Sequence, residues 1–325
     1  MDIVSLFLGA SEGRSIVSYE AYIRIALYLD GFGYYRKNKA RVGKSNETDF
    51  YTSVSLGGIY SNLIVESAQK LLGENYCERA TFVEIAAEPE THLLANIAHP
   101  FRNVKVVRYG ENVEIPSDSV VFSNEWLDAQ PFCRFKFYKK RGWVELGVDV
   151  STYPFREVEL DEFSVNAESF KGDLPTDALD EYCLDISLDA EVQLSRLAGG
   201  SWSGLFLTAD YGKDWLDLIQ NYPEGTGRTY DKHKVDGDLL DQPGSKDITC
   251  HVCWDRLQAI LEINEFSSTG LDRQESFFMK YASEYIQKVI SGSNASKESD
   301  KRKLMELIHP SMMGNAFQIL WGIKE

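Results

Sequence analysis

The sequence predicts an α/β protein built on an open, mainly parallel sheet, and three observations predict it. Short apolar runs recur at 80–86, 104–108, 119–123 and 204–210, each the length of a buried strand. Segments with helical spacing of apolar residues lie between some of them, as at 91–98. Polar residues gather at or just past the ends of the runs: Glu84, the segment Asn124-Glu125-Trp126-Leu127-Asp128, and Asp210. Open parallel sheets bind ligands in the crevice beyond their strand carboxyl ends, so these positions are the first candidates for a site.

In chain order, Ile16, Tyr19, Tyr22, Ile23, Ala26 and Leu27 recur at helical spacing over 15–30, and Gly31 and Gly33 end that helix. A second helix is expected over 56–72. Residues 135–138 and 143–148 read as antiparallel strands across a Lys-Lys-Arg-Gly turn. Residues 151–180 read mostly as loop, 187–198 as a helix ended by Gly199-Gly200, and 222–250 as a long irregular segment. A helix over 275–290 precedes a Ser/Asn/Lys linker at 291–300, and apolar residues at 304–308 and 316–321 close the chain.

With 325 residues, 43% of them apolar, the chain can bury a core without metals or disulfides. Its net charge of -16 repels phosphate backbones and disfavours nucleic acid as a partner. The acidic stretches 157–162 and 173–189 are either solvated faces or a docking surface for a basic partner. No apolar run approaches the ~20 residues that span a bilayer, so no membrane partner is expected. The N-terminus lacks a basic region before its apolar stretch, and the five cysteines suit a reducing compartment, so a cytoplasmic location is expected. Cys250-His-Val-Cys253 has metal-like spacing but no second pair, and a strand there would turn its cysteines to opposite faces; no metal is expected.

Longer blocks carry a family resemblance. They are Ser18–Tyr28 with Gly33-Tyr34-Tyr35, Asp49-Phe-Tyr-Thr-Ser53, Asn124-Glu-Trp-Leu-Asp-Ala-Gln-Pro131, Asp210-Tyr-Gly212, Gly225-Thr-Gly-Arg-Thr-Tyr-Asp-Lys-His233 and Gln242-Pro-Gly-Ser-Lys-Asp-Ile-Thr-Cys-His-Val252. Over nearly its whole length the chain resembles the MidA family of S-adenosylmethionine-dependent methyltransferases, which includes an arginine methyltransferase. The resemblance implies a Rossmann-like class I methyltransferase sheet with an N-terminal helical segment and an inserted loop or helical lid. The expected boundaries are 1–75 for the N-terminal segment, 76–222 for the core, 223–292 for the lid and 293–325 for a segment completing the sheet.

It also implies S-adenosylmethionine as cofactor, near Glu84, Ala86, Glu88, Thr52 and Asn124. A protein substrate or partner, basic in character, would be handled by Asn124, Glu125 and Asp128, with Asp210, Tyr230, His233 and His251 lining its site. Carboxylates can hold a guanidinium by bidentate hydrogen bonds, although Glu125 and Asp128 could equally cap a helix. His233 and His251 could equally be structural. The departure is local. Where the family motif reads Glu-x-Gly-Pro-Gly-x-Gly-Thr-Leu, this chain has Glu84-Ile-Ala-Ala-Glu88-Pro-Glu90-Thr-His92, without a glycine. The stretch from Glu84 to Asn124 is also short, as if one strand-helix unit were missing. An altered mode of cofactor binding and a catalytically degenerate, partner-binding protein are both consistent with this loop.

Overall fold

The protein is described from a computed structural model covering residues 2–37, 53–89, 91–109, 111–231, 234–292 and 295–325. It divides into two compact units, each drawn from separated stretches. The described residues of Met1–Asn38, Leu127–Gln193 and Gly212–Leu257 form the first, and those of Lys39–Trp126, Leu194–Tyr211 and Gln258–Glu325 the second. The units interleave along the chain, whereas the boundaries read from the sequence run consecutively.

The second unit holds a six-stranded sheet. Its strands are β1 (Thr81–Ile85), β2 (Asn103–Val107), β3 (Asp118–Asn124), β4 (Ser203–Asp210), β5 (Phe266–Arg273) and β6 (Gln318–Lys324). They lie in the order β5-β6-β4-β3-β1-β2. β1 is parallel to β2 and β3, and β3 to β4, while β6 runs antiparallel to both β4 and β5. The apolar runs become strands because residues on both faces are buried: Phe82, Val120, Phe122, Leu205 and Leu207 pack on one face with Tyr60, Leu63 and Ile64 of the helix Gly58–Leu72, and Val83, Val121 and Phe206 of the other face are also buried. Gly204 lets β4 approach β3. It sits at φ +125°, and a Cβ there would lie 2.0 Å from the Ser119 carbonyl oxygen.

Several expectations change here. Residues 93–96 form a turn rather than part of a helix over 91–98. The Glu84 side chain takes the Leu93 N–H, and Pro100 disfavours helical geometry just before it. The expected helix 275–290 is two helices, Gln274–Tyr281 and Ser283–Ser291, broken at Ala282. The expected linker 291–300 gives way to the helix Ala295–Ile308, whose buried Leu304 and Leu307 anchor it to the core. The shortness between Glu84 and Asn124 appears as a single strand, β2, with no α-helix on either side of it among the described residues.

The first unit contains a five-stranded antiparallel sheet of Ile16–Ser18, Cys133–Tyr138, Gly142–Asp149, Arg156–Glu159 and Cys183–Ile186. Alternate residues of Cys133–Tyr138 are buried, and Cys133 and Phe135 pack with Phe170, Leu184 and Ile186. The long segment 222–250 is less irregular than expected. Arg228–Asp231, Lys234–Asp236 and Asp247–Thr249 pair as a small antiparallel sheet. Gly225 serves the turn before it. It sits at φ +78°, and a Cβ there would lie 2.3 Å from the Asp185 carboxylate.

Candidate functional site

β1 is hydrogen-bonded on both sides, so its penultimate residue, Glu84, is only 6% exposed. Its carboxylate accepts a hydrogen bond from the Leu93 N–H at 2.6 Å. Burial pushes the carboxyl up to about 7, against the opposing pull of that N–H and of the Arg108 charge. Two residues on, Ala86 is held at φ +60°, in the left-handed region. An L-residue adopts that region at a cost of about 1–2 kcal/mol, which glycine avoids. Ala86 therefore holds, without glycine, a backbone conformation that glycine adopts freely. The turn is tied to β2 by Ala87 N–H donating to the Val107 carbonyl at 3.3 Å and by Arg108 Nε donating to the Pro89 carbonyl at 3.0 Å. Glu88 lies half-buried in the same loop.

The neighbouring strand β3 ends in the same way. Glu125 has φ +50° and is held from three directions. Its N–H donates to the Ala209 carbonyl at 2.9 Å, its carbonyl accepts from the Tyr109 hydroxyl at 3.2 Å, and its carboxylate accepts from Asn124 Nδ2 at 2.7 Å. Asn124 Oδ1 accepts in turn from the Tyr60 hydroxyl at 2.9 Å. Beside them Asp210 closes β4, fully buried, with a carboxylate oxygen accepting the Tyr211 N–H at 2.9 Å. Tyr60 brings these groups together. Burial raises its hydroxyl well above the ordinary value, and the charges of Glu125, Asp210 and Glu84 raise it further, with a hydrogen bond to Ser53 working the other way. Its hydroxyl thus stays a donor among three carboxylates at the carboxyl edge of the sheet.

The expected site residues fall into two groups. Glu84, Ala86, Glu88, Asn124, Glu125 and Asp210 belong to the second unit, and Asp128, Tyr230 and His251 to the first. Thr52 and His233 lie outside the described residues. Asp128 is 3% exposed, and its carbonyl accepts the Cys250 N–H at 3.0 Å. Tyr230 has the Arg228 guanidinium 5.4 Å from its ring centre. His251 is pushed down to about 3 by burial and by the Arg228 and Lys213 charges, so it is a neutral imidazole. Sequence reasoning missed Tyr60, Arg108 and Tyr109. Tyr60 is one aromatic residue within an amphipathic helix, and nothing local marks its hydroxyl.

A parallel sheet with one antiparallel strand inserted next to its last is the arrangement of a class I methyltransferase. The chain's family follows from sequence. A family model described as "Putative S-adenosyl-L-methionine-dependent methyltransferase" matches residues 61–271, and the protein belongs to that family. No curated protein matches the sequence. Among solved structures, a COG1565 superfamily member from Burkholderia thailandensis bound to S-adenosyl-homocysteine aligns with a TM-score of 0.83 and 18% identity, covering 99% of this chain and 91% of that one. A native structure of an uncharacterised COG1565 superfamily protein from the same organism aligns with a TM-score of 0.77 and 19% identity, over 99% and 91% of the two chains. These likenesses show the fold.

The cofactor of this family is S-adenosylmethionine. The edge of β1 and β3 fits its cationic sulfonium, since Glu84, Glu125 and Asp210 gather there and Ala86 keeps the left-handed turn. Two other features depart from the usual cradle. Among the described residues no α-helix follows the turn to offer its N-terminal N–H groups to a carboxylate. The resemblance implies an acidic residue for the cofactor ribose, and past the end of β2 the chain instead continues with Arg108-Tyr109.

Proposed function

We propose that the protein is an S-adenosylmethionine-dependent methyltransferase acting on a protein side chain, with arginine the side chain its carboxylates suit. One observation carries the reading. Two adjacent central strands, β1 and β3, each end in a non-glycine residue forced to positive φ, Ala86 and Glu125. Strain of this kind persists only where surrounding contacts over-determine it, and it clusters at ligand sites. Both residues lie at the carboxyl edge of a parallel sheet.

When bound, the cofactor supplies an electrophilic methyl group beside these carboxylates. Glu84, Ala86 and Asn124 are the residues that would hold it. Glu125 suits a guanidinium, which it can orient and whose released proton it can accept. Tyr60 fixes Asn124, and Asn124 fixes the Glu125 carboxylate, so the acceptor would be positioned rather than activated. Calorimetric titration with S-adenosylmethionine and S-adenosyl-homocysteine tests the reading. Saturable binding is expected, weakened in Glu125→Gln, and absence of heat up to millimolar ligand would overturn it.

A second reading is favoured by Arg108-Tyr109 just past β2 and by the lack of an α-helix between β1 and β2 among the described residues. On that reading the fold is catalytically degenerate and serves as a binding or assembly factor for a basic protein partner. Ligand-free association with a basic partner, unchanged by Glu125→Gln, would favour it.

A further inference from the structure

In the first unit, two buried polar atoms without a hydrogen-bond partner, Thr249 Oγ1 and His251 Nδ1, lie near the basic residues Arg228 and Lys213. The loop before the small sheet is fixed by Asp185. Its carboxylate accepts from Thr226 N–H at 2.9 Å and Gly227 N–H at 2.7 Å, and it is paired with Arg134 at 2.9 Å. From this anchor the strand Arg228–Asp231 begins, and Arg228 and Tyr230, at alternate positions, share one of its faces. Arg228 lies directly opposite Thr249 in the antiparallel register, which puts Thr249 on the same face.

His251 is two residues further on. Its N–H donates to Thr226 Oγ1 at 3.2 Å, and Tyr222 stands edge-on to its ring at 5.7 Å. Lys213 closes the group, with its Nζ 5.5 Å from the Tyr222 ring centre. Thr249 is 4% exposed and its Oγ1 has no hydrogen-bond partner, nor has the buried His251 Nδ1. Buried polar atoms of folded proteins are nearly always satisfied, so two orphans beside two cations call for a ligand. Arg228, opposite Thr249 in the register, and Lys213, beside the Tyr222 ring that packs on His251, make a negatively charged ligand the complement.

We propose that Lys213, Arg228, Thr249 and His251 form a binding site for a small oxyanion, a phosphate or carboxylate group. Arg228 and Lys213 supply the charge, while the Thr249 hydroxyl and an imidazole N–H donate hydrogen bonds. The neutral imidazole can donate without carrying a third positive charge. The resemblance gives His251 a place in the substrate site, whereas the anion proposal rests only on the contacts within the first unit given above.

The test is a titration of the full chain, labelled at histidine Cε1, with inorganic phosphate and separately with acetate, at constant ionic strength set by chloride. The His251 resonance is assigned by its loss in His251→Asn. A saturable shift of that resonance is expected. Arg228→Met or Lys213→Met should weaken the binding roughly tenfold or more, the worth of one charge-assisted hydrogen bond, and Thr249→Val by a smaller factor. Saturation by phosphate alone identifies a phosphate site, and saturation by acetate a carboxylate site. Absence of saturation by either anion up to tens of millimolar overturns the proposal. So does a shift that chloride reproduces, or one that all three substitutions leave unchanged. The wild-type titration decides even if a variant fails to fold.

Discussion

Replacing Glu84 by Gln should stabilise the second unit above neutral pH and leave it nearly unchanged in acid. In the folded chain the Glu84 carboxyl is pushed up to about 7 from an ordinary value of 4.5. Between those two values the folded state holds a proton that the unfolded state has released. Stability therefore falls as pH rises through that window. Below pH 4.5 both states are protonated and nothing is lost; above 7 both are ionised and the loss is complete. At about 1.36 kcal/mol per pH unit, the full loss is about 3 kcal/mol.

Glutamine keeps an oxygen that can accept the Leu93 N–H and has no charge to bury, so it escapes the penalty. Native-state hydrogen exchange of the β1 amides, compared between wild type and variant at each pH, isolates this unit from the other. The advantage of the variant should grow from near zero at about pH 4.5 to about 3 kcal/mol above pH 7. An advantage that does not change with pH, or a wild type more stable at pH 8, would mean that the Arg108 charge outweighs burial.

Tyr60→Phe should cost about 1–3 kcal/mol, because Asn124 Oδ1 loses its donor at the sheet edge; urea denaturation measures it. Ala86→Gly relieves a left-handed strain of about 1–2 kcal/mol against a flexibility cost of about 0.5–1 kcal/mol, so a small net stabilisation is expected, and a loss of stability would contradict the strain argument. Gly225→Ala should destabilise the first unit, since the added Cβ meets the Asp185 carboxylate; thermal melting should show a lowered midpoint. Replacing Glu88 and Glu90 by Gly should tighten S-adenosylmethionine binding in calorimetry. Unchanged affinity would place the deficit at the end of β2 instead.

The central strands β1, β3 and β4 were legible because successive residues are buried, which writes them as continuous apolar runs, whereas β5, mostly exposed or half-buried, was not read as a strand. Residues 119–123 and 204–210 matched β3 and β4 to within a residue or so at each end. The single turn at 93–96 was not legible. Helical spacing of apolar residues is there, but the long-range capture of the Leu93 N–H by Glu84 decides its conformation. The helix Ala295–Ile308 was hidden for a different reason: its first turns are polar, and the buried contacts of Leu304 and Leu307 near its end hold it. At the candidate site, strand-end acids could be read from position alone. The hydrogen-bond chain from Tyr60 through Asn124 to Glu125 could not, because its members are 64 residues apart and only the fold joins them.

Ala86 and Glu125 bear on function through what each costs. Each could be relieved by glycine, and a turn needed only to connect two elements has no reason to resist that change. Yet the loop at Ala86 is pinned by the Arg108–Pro89 and Glu84–Leu93 hydrogen bonds, and Glu125 is held through its N–H, its carbonyl and its side chain at once. These contacts fix two adjacent strand ends to a single geometry around the Tyr60 hydroxyl. The absence of glycine therefore bears on what lines the turn, while Ala86 itself holds a left-handed conformation that glycine would adopt freely. Any loss of cofactor affinity should then trace to the charge of the lining and to Arg108 and Tyr109 past β2, rather than to a collapsed loop.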